Sequence, residues 1–293
     1  MALIDLLKMI RPANAFMVSA MVIAGIWFSD PVFTWWKYLL AAIVPIAYIG
    51  IAMVHNDIID YDIDVINAPH RPLPSGRVTE RQAKLYCWIL FAIGTIAGIW
   101  LGIEPVIIMA LTLVLSLLYN SSLKKTGFIG NLAVGVTATS AFLYGDAIAA
   151  GWYNFWPISH WSPAIYLFLI AALLNTAREV TKGIMDVTGD AEYGVKTIAV
   201  LYGKENAARF VVVLLFFAFA MALVPLINGT FGYVFIIAVV AFLFLLIRTG
   251  LPLIREPNYI NAKNFKTKLL PNMFLALVLV ILDVVIQNYT SLY

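Results

Sequence analysis

Five side chains follow directly on a long apolar run: Asn56, Asp57, Asp60, Asp62 and Asp64. Carboxylates at the edge of such a run must find a cation once they lose water. If the preceding helix continues, Asn56, Asp60 and Asp64 fall at i, i+4 and i+8 and share one face. Three oxygen donors in a row suit a hard cation, and Mg²⁺ is the natural guest. Arg71 follows on a loop stiffened by Pro69, Pro72 and Pro74, and a guanidinium there can fork onto a phosphate oxygen. A second segment, Arg178-Glu179-x-x-Lys182-x-x-x-Asp186-x-x-x-Asp190, repeats the spacing. It runs from basic to acidic along one helical face. Two acidic patches that face each other repel unless cations bridge them, so a metal–diphosphate site built on both segments is expected.

Other assignments fail on spacing. Asp60, Asp62 and Asp64 imitate the start of an EF-hand, but Val65 stands where its glycine belongs and Arg71 where its glutamate belongs. A solvated acidic loop would have no reason for the helical spacing or for a matching second segment. His55, His70 and His160 have no metal-ligand spacing, and Cys87, the single cysteine, excludes an internal disulfide. Between the two segments, Tyr119 either orients a phosphate oxygen or anchors at the interface, and Lys124 and Lys125 contact phosphate or anionic head groups. Asp146 stands alone inside a span. No nucleic-acid partner is expected.

The elements that must position these residues are membrane helices. The chain of 293 residues is 62% hydrophobic and only 12% charged, and its apolar runs are too long and unalternating for barrel strands. The fold class is all-α and polytopic. Nine spans are expected near 13–29, 37–57, 83–102, 104–121, 128–150, 163–183, 206–227, 231–250 and 270–289. Turns fall at Asp30-Pro31, Glu104-Pro105, Lys125-Thr126-Gly127 and Asn228-Gly229, and the third and fourth spans must form a hairpin. Residues 1–12 read as an interfacial amphipathic helix, with Leu3, Ile4, Leu6, Leu7 and Ile10 against Asp5, Lys8 and Arg11. No cleavable signal peptide and no soluble appendage are expected, so residues 1–293 form a single membrane-embedded domain. Its two halves are a weak repeat, 13–121 and 128–250, followed by a ninth helix. Both acidic segments would face one central cavity. Basic residues crowd one set of loops and Lys37 stands alone in the other, which puts the N-terminus and both acidic segments on the cytoplasmic side of the cell membrane. The aromatic loop with Trp152, Tyr153, Phe155, Trp156 and Trp161 is an external interfacial belt.

Asn56-Asp57-x-x-Asp60-x-x-x-Asp64 with Arg71-Pro72-Leu73-Pro74-Ser75-Gly76 resembles the first signature of the UbiA superfamily of intramembrane prenyltransferases. Asp186-Val187-Thr188-Gly189-Asp190, with Tyr193-Gly194-Val195-Lys196-Thr197 after it, resembles the second. The resemblance spans essentially the whole chain. It implies nine helices around a central cavity open to lipid, and Mg²⁺-dependent transfer of a prenyl group from a polyprenyl diphosphate to a lipophilic or aromatic acceptor. It implies metal ligation by Asn56, Asp60, Asp64, Asp186 and Asp190, the four acids being catalytic together with Tyr119, which matches a tyrosine near the leaving group. It puts Arg71, Lys124 and Lys182 near the diphosphate, and substrate binding is assigned to these with Arg178 and Asp57. The proline loop is most similar to members that make archaeal digeranylgeranylglyceryl phosphate or attach phytyl-type tails; members that act on aromatic quinone precursors share nearly the same motifs. This chain departs from the archaeal ether-lipid members at Gly183, Ile184, Met185 and Thr188, where they carry more acid. Geranylgeranylglyceryl phosphate and an aromatic quinone precursor therefore both stand as acceptors. A membrane transporter with a cytoplasmic acidic cation site is the alternative of another class; it predicts acids deep in the spans, whereas here they gather at one end beside basic residues.

Overall fold

The computed structural model describes residues 2–29, 34–151, 153 and 161–290, and among these all regular structure is helical. The helices are α1 (Ala2–Met9), α2 (Pro12–Ser29), α3 (Trp35–Ile59), α4 (Tyr61–Asn67), α5 (Glu80–Ile99), α6 (Ile103–Ser121), α7 (Phe128–Thr139), α8 (Ala141–Ala150), α9 (Pro163–Met185), α10 (Val187–Glu192), α11 (Ile198–Tyr202), α12 (Lys204–Ile227), α13 (Tyr233–Arg255) and α14 (Tyr259–Thr290), with a short 3₁₀ turn at Leu123–Lys125. Seven of them (α3, α5, α6, α9, α12, α13 and α14) are long and apolar enough to cross a bilayer. The bent pairs α1–α2 and α7–α8 bring the total to nine if each is one span. The protein is therefore a polytopic membrane protein, as only closed hydrogen bonding within helices is compatible with lipid here.

Several boundaries differ from expectation for local reasons. α5 begins at Glu80 because Thr79 and Gln82 form a reciprocal capping box, which satisfies two backbone donors before the apolar run starts. The stretch 128–150 is bent by 43° between α7 and α8. α14 starts at Tyr259, well before the apolar run that begins near 270, because its lysine-bearing first turns bury Ala262, Phe265 and Leu269 on one side. The hairpin between α5 and α6 turns on Gly102, at φ 118°, a conformation open to glycine alone. In α1 the polarity is the reverse of a water-facing helix: Leu3, Ile4 and Leu7 are exposed and Asp5 is buried. The Asp30-Pro31 turn and Trp152, Phe155, Trp156 and His160 lie outside the described residues.

The chain divides into two compact units, Met1–Ser122 with Thr137–Ala164, and Leu123–Val136 with Ile165–Tyr293. In the first, α3 is the central helix, packed by α1, α2, α5, α6 and α8. Lipid tails are as apolar as leucine, so helices associate by close fit between small residues. Ala41, Ala47 and Gly50 supply this on α3 and Gly94 and Gly98 on α5; a Cβ on Gly94 would stand 3.1 Å from the Ala47 Cβ. Where α2 crosses α8, Gly25 and Gly145 bring the two backbones together, and a Cβ on either would strike the other helix. The second unit is built on α12, which packs against α11 and α13, while α13 pairs with α14. Asp283 of α14 is 2% exposed and accepts hydrogen bonds from the backbone N–H groups of Gly232, Val234 and Phe235 at 2.5, 2.9 and 3.2 Å. A side chain of one helix thus caps the N-terminus of another.

Candidate active site

The first acidic segment is where α3 stops and α4 begins. Asp60 sits at the junction at φ −89°, ψ 11°, so the helix is interrupted at the residue through which it was expected to run. The shared face survives the interruption, because the i+4 hydrogen bonds continue across it. Asp60 N–H donates to Asn56 O at 2.9 Å, Asp64 N–H to Asp60 O at 2.8 Å and Ala68 N–H to Asp64 O at 2.8 Å. Asn56 Nδ2 donates to Asp60 Oδ2 at 2.5 Å, which engages the amide nitrogen and keeps its carbonyl oxygen as an acceptor suited to a cation.

Asp57 and Asp64 point into protein and are 3% and 6% exposed. Arg71 Nη1 donates to Asp64 and reaches Asp57 Oδ1 at 3.5 Å. Arg11 Nη2 donates to that same Asp57 oxygen at 2.9 Å. Two buried carboxylates and two half-exposed guanidinia form a neutral quartet, the condition under which buried acids are tolerated. The loop carrying Arg71 is folded on itself, with Arg71 N–H on Ala68 O, Ser75 N–H on Arg71 O and Val78 N–H on Pro72 O at 2.9, 3.1 and 3.1 Å. Asn120 of α6, buried, donates to Ala52 O at 2.9 Å and ties α6 to the C-terminal half of α3. Tyr119, its neighbour, is half-buried in this unit.

The second segment repeats the backbone plan. α9 ends at Asp186, at φ −100°, ψ 8°, and α10 follows at once. Asp186 N–H donates to Lys182 O at 3.0 Å and Asp190 N–H to Asp186 O at 2.8 Å. Lys182 and Asp186 are exposed and Asp190 is half-buried. Burial and the neighbouring Asp186 carboxylate raise the Asp190 carboxyl above its ordinary pKa, while Lys182 pulls it down. Arg178 pairs with Glu179 at 2.9 Å, and its Nε–H is buried without a hydrogen-bond partner among the described residues. The stretch after α10 turns back on Asp190, with Val195 N–H on its carbonyl at 2.7 Å. Lys196 N–H then donates to Lys125 O at 3.1 Å, which fixes the 3₁₀ turn that carries exposed Lys124 beside this stretch. Gly127, at φ 68°, permits that approach, since a Cβ there would strike the Lys196 carbonyl.

Asn56, Asp57, Asp60, Asp64, Arg71 and Tyr119 thus belong to the first unit, and Lys124, Arg178, Lys182, Asp186 and Asp190 to the second. Among the described residues no three histidine, cysteine or acidic side chains stand gathered as a ready metal cage. The donor chemistry still fits Mg²⁺, which is held by one or two carboxylates and completes its shell with water and substrate phosphates. Asn56 and Asp60, and Asp186 and Asp190, offer oxygen donors in pairs of that kind. Arg11 and Asn120 escaped the sequence reading. Arg11 is 46 residues from its partner, and the one available sign was a basic residue directly before Pro12. Asp146, fully buried, accepts a hydrogen bond from Ser29 where α2 and α8 cross.

Residues 17–278 match the UbiA prenyltransferase family. The chain is 39% identical to a digeranylgeranylglyceryl phosphate synthase of Ignicoccus hospitalis over 62% of this chain and 59% of that protein. It is 33% identical to the digeranylgeranylglyceryl phosphate synthase of Methanopyrus kandleri over 79% of this chain and 82% of that one. A solved structure concerned with digeranylgeranylglyceryl phosphate synthase in membranes superposes with a TM-score of 0.83 at 29% identity, covering 96% of this chain and 98% of that one. A UbiA homolog from Archaeoglobus fulgidus bound to GPP and Mg²⁺ shares the fold, with a TM-score of 0.68 at 16% identity over 95% and 99% of the two chains.

Proposed function

The chain belongs to the UbiA prenyltransferase family, and from that premise we propose that it transfers a geranylgeranyl group from geranylgeranyl diphosphate to the free hydroxyl of geranylgeranylglyceryl phosphate. The acceptor is drawn from the relatives named digeranylgeranylglyceryl phosphate synthase, one of which aligns over 82% of its length. The observation that carries the site assignment is the repeated backbone plan: at Asp60 and at Asp186 a long helix stops on an aspartate, and a short helix restarts with a second aspartate four residues on. The chain acts as one membrane-embedded domain, with both segments and the N-terminus on the cytoplasmic side of the cell membrane, as the basic residues suggest.

Asn56, Asp60, Asp64, Asp186 and Asp190 are the proposed Mg²⁺ ligands. Bound Mg²⁺ supplies charge neutralisation for the leaving diphosphate. Arg71, Lys124 and Lys182 donate hydrogen bonds to phosphate oxygens, and these strengthen as negative charge collects there while the C1–O bond breaks. Tyr119 donates its hydroxyl to the leaving oxygen. The allylic cation survives because the surrounding helices exclude water. The acceptor oxygen then bonds to C1 and passes its proton to the departed diphosphate, leaving an ether. Arg178, with its buried Nε–H, is the proposed receptor for the acceptor's phosphate.

The test is product analysis on purified protein in lipid, supplied with geranylgeranyl diphosphate and Mg²⁺ and offered geranylgeranylglyceryl phosphate or a hydroxybenzoate. A diether product from the glyceryl phosphate alone, lost in EDTA, supports the reading. A prenylated hydroxybenzoate would reassign the acceptor, and no diphosphate release with either would reject the reaction.

A further inference from the structure

We infer that Arg11 is a positioning residue for prenyl transfer, acting through Arg71, an inference that rests on the reading above. Asp57 is 3% exposed, and so deep a carboxylate must keep a cation. Two guanidinia compete for one of its oxygens, Arg11 Nη2 at 2.9 Å and Arg71 Nη1 at 3.5 Å. Arg11 holds the shorter bond. Arg71 leans instead on Asp64, a proposed metal ligand. When Asp64 turns to the cation, Arg71 loses that partner and is left between Asp57 and the substrate's phosphate. Arg11 decides the contest, because it satisfies Asp57 and frees Arg71 for phosphate.

The backbone around Arg11 is built to hold it there. Its φ of 56° is the only positive value at a non-glycine position among the described residues. Bulky L side chains seldom adopt this conformation, which persists where surroundings enforce it. Arg11 N–H donates to Lys8 O at 3.0 Å, and Arg11 O accepts from Asn14 N–H at 2.8 Å at the start of α2. On α1, buried Asp5 accepts from Lys8 at 3.3 Å and from Arg77 Nε at 3.2 Å, and Arg77 Nη2 donates to His70 O at 2.6 Å. The short N-terminal helix therefore braces the 70–77 loop on both sides of Arg71. This explains why α1 turns its acid inward and its leucines outward.

The experiment compares wild type, Arg11→Gly, Arg11→Lys, Asp57→Asn and Arg11→Gly with Asp57→Asn, each as full chain in detergent. Glycine suits a positive φ, so Arg11→Gly removes the guanidinium without straining the backbone. Donor KM and kcat are read together with the Kd for inorganic diphosphate by calorimetry, which needs no turnover. Arg11→Gly should raise both donor KM and diphosphate Kd by about tenfold or more, the loss of one charge-assisted hydrogen bond, with a smaller change in kcat. Arg11→Lys should raise them less. The double variant should recover most of the loss, because the acid that captures Arg71 is gone. Unchanged KM and Kd in Arg11→Gly beside an active wild type would overturn the inference alone. So would a double variant as impaired as Arg11→Gly, which would make Arg11 a structural brace. A wild type that neither binds diphosphate nor forms product would instead reject the prenyl-transfer reading.

Discussion

Asp60 and Asp186 occupy matching places at the ends of two long helices, with backbone angles within about ten degrees of each other, yet the charges around them are managed in opposite ways. In the first segment, Asp57 and Asp64 are buried and neutralised by Arg11 and Arg71. In the second, Asp186 is exposed, and burial together with the Asp186 charge raises the Asp190 carboxyl above its ordinary value against the pull of Lys182. The two buried acids of the first segment arrive with their counter-charges built in; in the second, two carboxylates one helical turn apart act on each other, a repulsion that a cation would relieve.

The largest expected effect comes from removing the carboxylates of the second segment. Asp190→Ala and Asp186→Ala should each lower kcat at saturating Mg²⁺ by roughly 10²–10³-fold, the scale of losing one electrostatic partner of a transition state. Equal losses from Asp57→Ala, measured in the same assay, would break the comparison. Arg71→Ala should raise the donor KM and also lower stability by about 1–3 kcal/mol, because Asp64 is left buried without its cation. Thermal unfolding in detergent beside the kinetics separates the two effects. An acid outside both segments gives the control. Asp283 caps α13 from α14, so Asp283→Ala should cost about 2 kcal/mol of stability and leave KM for the donor unchanged in the folded fraction.

The smallest effect is one of sign. A carboxyl whose pKa is raised by folding binds its proton more tightly in the native state. Metal-free protein should therefore lose a little stability as pH rises from the ordinary carboxyl range through the raised value of Asp190, and stay level above it. Asp190→Asn should remove that slope. Melting curves in EDTA between about pH 4 and 7 would show it, and an unaltered slope would mean that Asp190 is not the group responsible.

Much of this was legible in the residues. The spacing of Asn56, Asp60 and Asp64, and of Lys182, Asp186 and Asp190, survives because i+4 is a local property that a break between two helices does not erase. Apolar run length located the spans that pass through lipid, since composition there is dictated by the solvent. What stayed hidden was decided by partners distant in sequence or by local capping. Nothing in linear spacing joins Arg11 to Asp57 or Gly232 to Asp283. The start of α5 depended on Thr79 and Gln82 capping each other's backbone, and the start of α14 on three apolar residues, Ala262, Phe265 and Leu269, spaced among lysines. Polarity alone suggested that α1 turns its charges to water, whereas Arg77 draws Asp5 inward.

If both acidic segments handle the diphosphate together through Mg²⁺, neither suffices without the other. Calorimetric titration of inorganic diphosphate into wild type, Asp60→Asn and Asp186→Asn, each with Mg²⁺ and with EDTA, tests it most directly. Wild type should bind diphosphate in Mg²⁺ alone, and either variant should lose that binding. Wild-type affinity in one of the two variants, or binding that persists in EDTA, would contradict it.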